Sequence, residues 1–210
     1  MITLYDASTA PSPRRARILL AEKGLDHETV SVDLRNNEQL GEAYRKINPL
    51  CTVPALRTED GPVLTDNAAI AAYIDARYPK PLLLGETPAE RADVASWNWR
   101  IEFEGLMAIA DALRNSTPSM VGRALPGPVD YPQISELAQR GLARVQQFFV
   151  TLNDHLADRA FIATERFSVA DITAVVAVDF ARIVKVKPTE KHLHLQRWRA
   201  SMAERPSMAL

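Results

Sequence analysis

The segment NPLCTVPALRTEDGPVLTDNAAIAA, residues 48–72, decides the reading of the chain. Two short apolar runs, 52–57 (TVPALR) and 62–65 (PVLT), flank Glu59, Asp60 and Gly61, which predicts a hairpin turned at Asp-Gly. Proline removes a ladder donor, so Pro54 belongs at a strand start or edge, or across a cis bond. A Val53 held that way offers its N–H and C=O to something extended lying alongside. Thr65, Asp66 and Asn67 then precede AAIAAYI, so the strand runs into a helix whose start is rich in acceptors. A helix N-terminus favours a carboxylate, and the Asp66 side chain favours an ammonium. The two together describe a receptor for the α-amino and α-carboxylate groups of an amino acid.

Upstream of this segment, residues 1–5 (MITLY) form a β-rich run. DASTAPSP is a turn-rich loop, and RRARILLAEKG a helix ended by Gly24. Residues 27–34 (HETVSVDL) alternate as a half-buried strand would, closing a βαβ unit. Residues 36–47 are weakly helical. With the hairpin and a helix over 68–77, the order is βαβαββα, which resembles a thioredoxin fold over residues 1–78. Residues 79–88 are proline-rich and aperiodic and read as a linker. Residues 89–210 show no convincing strand. Helices are expected over 89–115, 133–156 and 194–204, with prolines and glycines interrupting 118–132. Phe167, Ser168, Asp171 and Ile172 form a hydrophobic staple around an S-x-x-D capping box, announcing an apolar, central helix to about Val184. The fold class is therefore α/β plus all-α.

Bulk properties narrow the function. The 47% hydrophobic content of this 210-residue chain suffices for a sizeable core, and 25 basic against 26 acidic residues argue against nucleic acid or an anionic membrane as partner. A single cysteine, Cys51, excludes an internal disulfide and a cysteine-based zinc site. The four histidines form no catalytic or metal-binding pattern, so no metal is expected. With no apolar run near 18 residues and no leader-like start, a cytoplasmic protein is expected.

The ordered pattern NPxxxVPxL followed by DGxxL and AIxxYI resembles the glutathione site of the cytosolic glutathione transferases, with Asn67 where that family usually has serine. An amide can still hydrogen-bond a carboxylate. The capping box of residues 168–171 recurs in the family's helical domain, more than 100 residues away. Residues 11–24 and 167–186 look most like bacterial and fungal members, including a yeast group without a standard catalytic side chain. The resemblance implies glutathione as co-substrate and conjugation to small hydrophobic electrophiles, as in detoxification. It also implies a homodimer in which the first domain of one subunit meets the helix over 89–115 of the other, where Arg100 or Glu104 could reach the partner's ligand. Glutathione would meet Gln39, Val53, Pro54, Asp66 and Asn67, with Arg35 or Lys46 adding charge. Cys51 falls at a small-residue loop position of the motif and is expected to be packed.

The enzyme must favour the glutathione thiolate. Lowering a thiol pKa from roughly 8.5 by about two units takes on the order of 2.7 kcal/mol. A partly buried helix N-terminus contributes up to about 2 kcal/mol and one hydrogen bond to a charge roughly 1.5 to 3. In the family the donor is a Ser, Tyr or Cys, and the matching register places it at Ala10, which cannot donate. A one-residue shift points to Thr9, and Ser12 is the other hydroxyl at the helix entrance. Ser12 alternatively caps that helix, with Pro13 at its first position. Phe103, Met107 and Arg114, at spacings of four and seven, are the expected acceptor-substrate contacts between the domains, or else core. Two other functions use the same sequence features: glutathione-dependent peroxide or disulfide reduction, and a non-catalytic binding or assembly module.

Overall fold

The computed structural model describes residues 1–210. The chain divides into two compact units, one of Met1–Pro81 with Leu125–Asp130 and Leu210, the other of Leu82–Ala124 with Tyr131–Ala209.

In the first unit the elements run β1 (Ile2–Asp6), α1 (Pro11–Glu22), β2 (His27–Ser31), α2 (Glu42–Arg45), β3 (Ala55–Arg57), β4 (Val63–Leu64) and α3 (Asn67–Arg77). The expected βαβαββα order is present. The sheet order is β2-β1-β3-β4, with β1 parallel to β2 and antiparallel to β3. The hairpin closes where the Asp-Gly step places it: Thr58 N–H donates to Pro62 O at 2.9 Å and Gly61 N–H to Thr58 O at 3.1 Å. β2 departs from expectation. It is an edge strand with nearly every residue exposed, and the buried residue is Val32, just past its end.

Strand alternation sends Tyr5 and Ala55 to one face, where they join Val32 and Tyr44. Leu4 and Leu56, paired across the ladder and fully buried, point the other way. Ile18 and Leu20 of α1 and Ile70 and Ile74 of α3 are fully buried as well.

The helices α1 and α3 are tied at both ends. Asn67 Nδ2 donates to Ser12 O at 3.2 Å at their starts. At their ends the buried Lys23 ammonium donates to Asp75 Oδ1 at 2.6 Å, Tyr78 O at 2.7 Å and Pro81 O at 2.5 Å.

The second unit is helical: α4 (Pro88–Arg100), α5 (Met107–Arg114), α6 (Ser135–His155), α7 (Val169–Phe180) and α8 (Leu193–Ala203). Thr87 and Glu90 cap α4 reciprocally. The helix expected to run uninterrupted over 89–115 instead has a π-helical turn at Ile101–Leu106. A π turn disturbs the regular carbonyl pairing, and here Arg144 Nη2 donates to Phe103 O at 2.5 Å while its guanidinium lies 4.7 Å over the Phe103 ring. Two glycines let the neighbouring helices close. A Cβ on Gly141 would fall 2.6 Å from Ala108 O, and one on Gly105 2.8 Å from the Phe148 ring.

Helix α7 is buried at every position from Val169 to Val178, as its apolar sequence requires. The Asp171 carboxylate sits at its start, fully buried. Its Oδ1 accepts from Ile162 N at 2.9 Å and Trp198 Nε1 at 3.2 Å, and its Oδ2 from Ser168 N at 3.0 Å and Ser168 Oγ at 3.1 Å. Burial pushes its pKa up to about 6 against the pull of those donors.

Candidate functional site

The site is assembled from the loop before Val53 and the starts of two helices, all in the first unit. The buried Asn48 and Tyr44 clamp the loop. Asn48 Nδ2 donates to Thr52 O at 2.8 Å, its Oδ1 accepts from Leu50 N at 2.9 Å, and Tyr44 Oη donates to Thr52 O at 2.7 Å. Burial first of all pushes the Tyr44 phenol up to about 12, so it stays a proton donor. Cys51 is buried within this loop, as expected of a packed thiol, in the left-handed backbone region at φ 54°. The Val53–Pro54 bond is cis. Pairing begins only at Ala55, and the Val53 N–H and C=O make no hydrogen bond within the chain. Half-buried Val53 therefore presents an unused backbone donor and acceptor.

At the start of α3, Asp66 Oδ1 accepts from Ala69 N at 2.8 Å, a regular N-cap. The N–H groups of Asn67 and Ala68 have no partner and lie at the positive end of the helix. Asp66 is exposed, so its second oxygen is open to a cation.

The start of α1 differs from expectation. Its first residue is Pro11, Ala10 is the N-cap residue without a side-chain bond, and Ser12 lies inside the first turn, so Ser12 is not the cap and Pro13 does not open the helix. Pro11 has the backbone angle a first helical residue needs and no N–H to leave unpaired. Because Pro11 and Pro13 both lack an N–H, Ser12 supplies the one peptide donor of the first three positions, and that donor is unpaired. Ser12 Oγ makes a long contact of 3.4 Å with Arg15 Nη2. Thr9 is exposed on the preceding loop. Arg17 holds that loop, pairing with Asp6 Oδ1 at 2.5 Å and Ser8 O at 3.1 Å. The Asn67–Ser12 bond brings the α1 and α3 starts together, so two positive helix ends and the Ser12 donor share one place.

Gln39 is 6% exposed, and its Oε1 is buried without a partner. Lys46 is engaged on the surface with Glu42 at 2.8 Å.

In the second unit, Phe103 and Met107 are not core: they are 50% and 46% exposed, and Phe103 stacks on the exposed Trp99 with centroids 5.1 Å apart. Trp97 faces the other way, 3.8 Å from the His155 ring, with Arg100 over it at 4.4 Å. Burial is the main reason the His155 pKa is lowered. Arg100 and Glu104 pair with each other at 3.3 Å. Arg114 is half-buried at the end of α5, where its Nη1 donates to Arg123 O at 2.8 Å.

Residues 9–77 match the family model for the glutathione S-transferase N-terminal domain, and residues 110–206 the model for the C-terminal domain. Glutathione S-transferase 2 of Saccharomyces cerevisiae is 34% identical over 98% of this chain and 87% of its own length. The chain belongs to the glutathione S-transferase family. Among solved structures, a glutathione S-transferase domain-containing protein from Marinobacter aquaeolei superposes with a TM-score of 0.89 at 35% identity, covering 98% of this chain and 99% of that one. Gtt2 from S. cerevisiae gives 0.89 at 32% identity over 99% and 98%. Elongation factor 1-gamma 1 of rice is 30% identical over 87% of this chain but only 42% of its own length. The family's N-terminal model thus spans the clamped loop and both helix starts, and the resemblance to yeast relatives extends over nearly the full chain. No helix is long and apolar enough to cross a membrane.

The clamp by Asn48 and Tyr44 was not singled out from the sequence, although Asn48 opens the quoted segment. An Asn-Pro pair there reads as a turn, and only the fold shows the amide buried under the Val-Pro step.

Proposed function

We propose that this protein is a glutathione transferase that conjugates glutathione to small electrophiles. The observation that carries this reading is the meeting of the α1 and α3 starts at the Asn67–Ser12 bond, in the same unit as an unpaired Val53 backbone. Glutathione has the matching parts. Its cysteinyl segment pairs with Val53 above Pro54, its γ-glutamyl carboxylate meets the free N–H groups of Asn67 and Ala68, and its ammonium meets Asp66. Gln39, whose Oε1 is buried without a partner, is assigned to the glycyl end. The thiol lies at the α1 start, where the Ser12 N–H or hydroxyl, or Thr9, and the helix dipole favour the thiolate. Only the thiolate is an efficient nucleophile. One helix end and one donor together supply roughly 2 to 5 kcal/mol, enough for the roughly 2.7 kcal/mol needed. Phe103, Met107 and Arg114 receive the acceptor.

Replacing Asp66 by alanine should weaken glutathione binding about ten- to a hundredfold, because a charge-assisted contact worth roughly 1.5 to 3 kcal/mol is lost. Loss of the cap alone costs about 1 kcal/mol of stability and leaves the affinity of folded protein intact. Calorimetric titration decides: unchanged affinity in a variant with a native circular dichroism spectrum refutes the assignment.

A second reading, a non-catalytic glutathione-binding module, is favoured by Ala10 at the usual donor position and by the similarity to an elongation factor subunit. It predicts binding without turnover of any aryl halide. We further propose a cytoplasmic homodimer, the dimer being supported by the exposed Trp99 on the helix expected to meet the partner. A monomer by sedimentation at micromolar concentration rules the dimer out.

A further inference from the structure

The near-balance of charge over the whole chain hides a local excess. Six of its 25 basic residues but one of its 26 acidic residues fall in residues 181–200, from the end of α7 into α8. Two of the six are engaged within the fold: Arg199 pairs with Asp179 at 2.8 Å, and Arg197 donates to the carbonyls of Leu156 and Arg159. The other four, Arg182, Lys185, Lys187 and Lys191, lie in the connection between the two helices, and all are exposed. Their side chains make no hydrogen bond or ion pair within the chain. Glu190 is the one acid among them.

The connection is held in place beneath these charges. Buried Ala181 accepts from Val186 N–H at 3.2 Å, and Arg182 O from Lys185 N–H at 2.9 Å. At the other end Thr189 O accepts from His192 N–H at 2.8 Å, and the His192 ring meets Phe149 edge-on at 6.0 Å. Val184 and Val186 are half-buried while Lys185 and Lys187 stand out, so the backbone is packed and the ammonium groups are in water. Ile183 and Leu193, 54% and 65% exposed, place one apolar side chain near each end of the charged stretch.

An exposed ammonium on a flexible stem is a point charge that follows a field rather than a shape. Four of them on one short connection suit an extended array of anions better than a single bound ion. An anionic lipid surface is such an array, and it attracts basic segments within a Debye length of about 8 Å at physiological salt. Acids farther away on the chain are screened, so the local excess decides and the total charge does not. Ile183 and Leu193 supply what the boundary between headgroups and acyl chains accepts. A single-stranded nucleic acid would call for aromatic rings on which bases stack, and Trp198, the one Phe, Tyr or Trp in residues 181–200, is buried.

We infer that the α7–α8 connection is a docking surface for a membrane rich in anionic phospholipid, holding the protein there reversibly and in a salt-dependent way. The inference is independent of the transferase reading, since no residue of the glutathione site takes part.

The test is flotation of the full chain with phosphatidylcholine vesicles made with and without phosphatidylserine, at low and at physiological salt. Binding is expected with phosphatidylserine only, and weaker at the higher salt. Lys187→Gln with Lys191→Gln should lower the partition coefficient about 25-fold, about fivefold for each charge removed. Lys187→Arg with Lys191→Arg should retain it, because only the charge is required. Neither lysine side chain bonds within the fold, so these variants should keep a native circular dichroism spectrum; should the glutamine pair lose it, Lys185→Gln alone is read for its fivefold effect. No binding to either vesicle, equal binding to both, or binding unchanged by removal of the charges overturns the inference. Lysine-dependent binding to polyuridylate without binding to vesicles also overturns it, by assigning the surface to nucleic acid.

Discussion

Replacement of Asp171 by alanine is expected to lower the stability of the folded chain by about 4 kcal/mol or more. The substitution leaves three buried N–H donors, those of Ile162, Ser168 and the Trp198 indole, without an acceptor. Each unsatisfied buried donor costs about 1 to 3 kcal/mol, and losses above about 4 are confined to such broken networks. The effect depends on pH with a defined sign. Burial raises the folded pKa to about 6, above the ordinary carboxyl value of 3.8. The folded state therefore holds this proton more tightly than the unfolded state. The group's stabilising contribution is full below pH 3.8 and is lost as pH rises through about 6. Urea unfolding should accordingly show a wider gap between wild type and Asp171→Ala at pH 4 than at pH 7, by up to about 3 kcal/mol. Asp171→Asn, which keeps an acceptor but cannot ionise, should lose less, and its gap to wild type should narrow with pH in the same way, because the titrating group is the wild-type carboxyl. A gap below about 1 kcal/mol at both pH values would mean that water or backbone movement satisfies these donors.

The second large effect is expected at Lys23. Its ammonium is completely inaccessible and bonds a buried carboxylate and two carbonyls at the ends of α1 and α3. Lys23→Met keeps the aliphatic stem but leaves Asp75 buried without its cation, and breaking such a pair costs about 3 to 5 kcal/mol. Removing both charges, as in Lys23→Met with Asp75→Leu, should restore most of that loss, because the penalty lies mainly in the stranded charge. Chemical denaturation of the two singles and the double closes the cycle. Simple additivity would show that Lys23 and Asp75 do not depend on one another. The same two helices also meet at their starts, through Asn67 and Ser12.

Much of the architecture was legible before any coordinates. Strand alternation, the Asp-Gly turn and the S-x-x-D box are local signals, written by short-range sterics and hydrogen bonding, and they placed the hairpin, the order of elements and the buried helix α7. The requirement for an acceptor-rich start at Asp66 is equally local, because capping involves residues within one turn. The exposure of β2 was not legible, since alternation reports what a strand could bury and not whether a second layer covers it. Nor was the first turn of α1: Pro11 and Pro13 are both acceptable helix openers, and the choice falls to Pro11 once the Ala7 carbonyl accepts the Ala10 N–H.

The sequence by itself determined which segments are strands and helices and which residue caps α3, because these follow from neighbours along the chain. Only the tertiary structure decided which of those groups meet. Arg144 of a distant helix reaches the Phe103 carbonyl in the π turn, and the α1 and α3 starts are joined by an amide 55 residues from Ser12. Pairings across such separations are selected by packing and by the cost of leaving buried polar groups unmet, and those are properties of the whole fold.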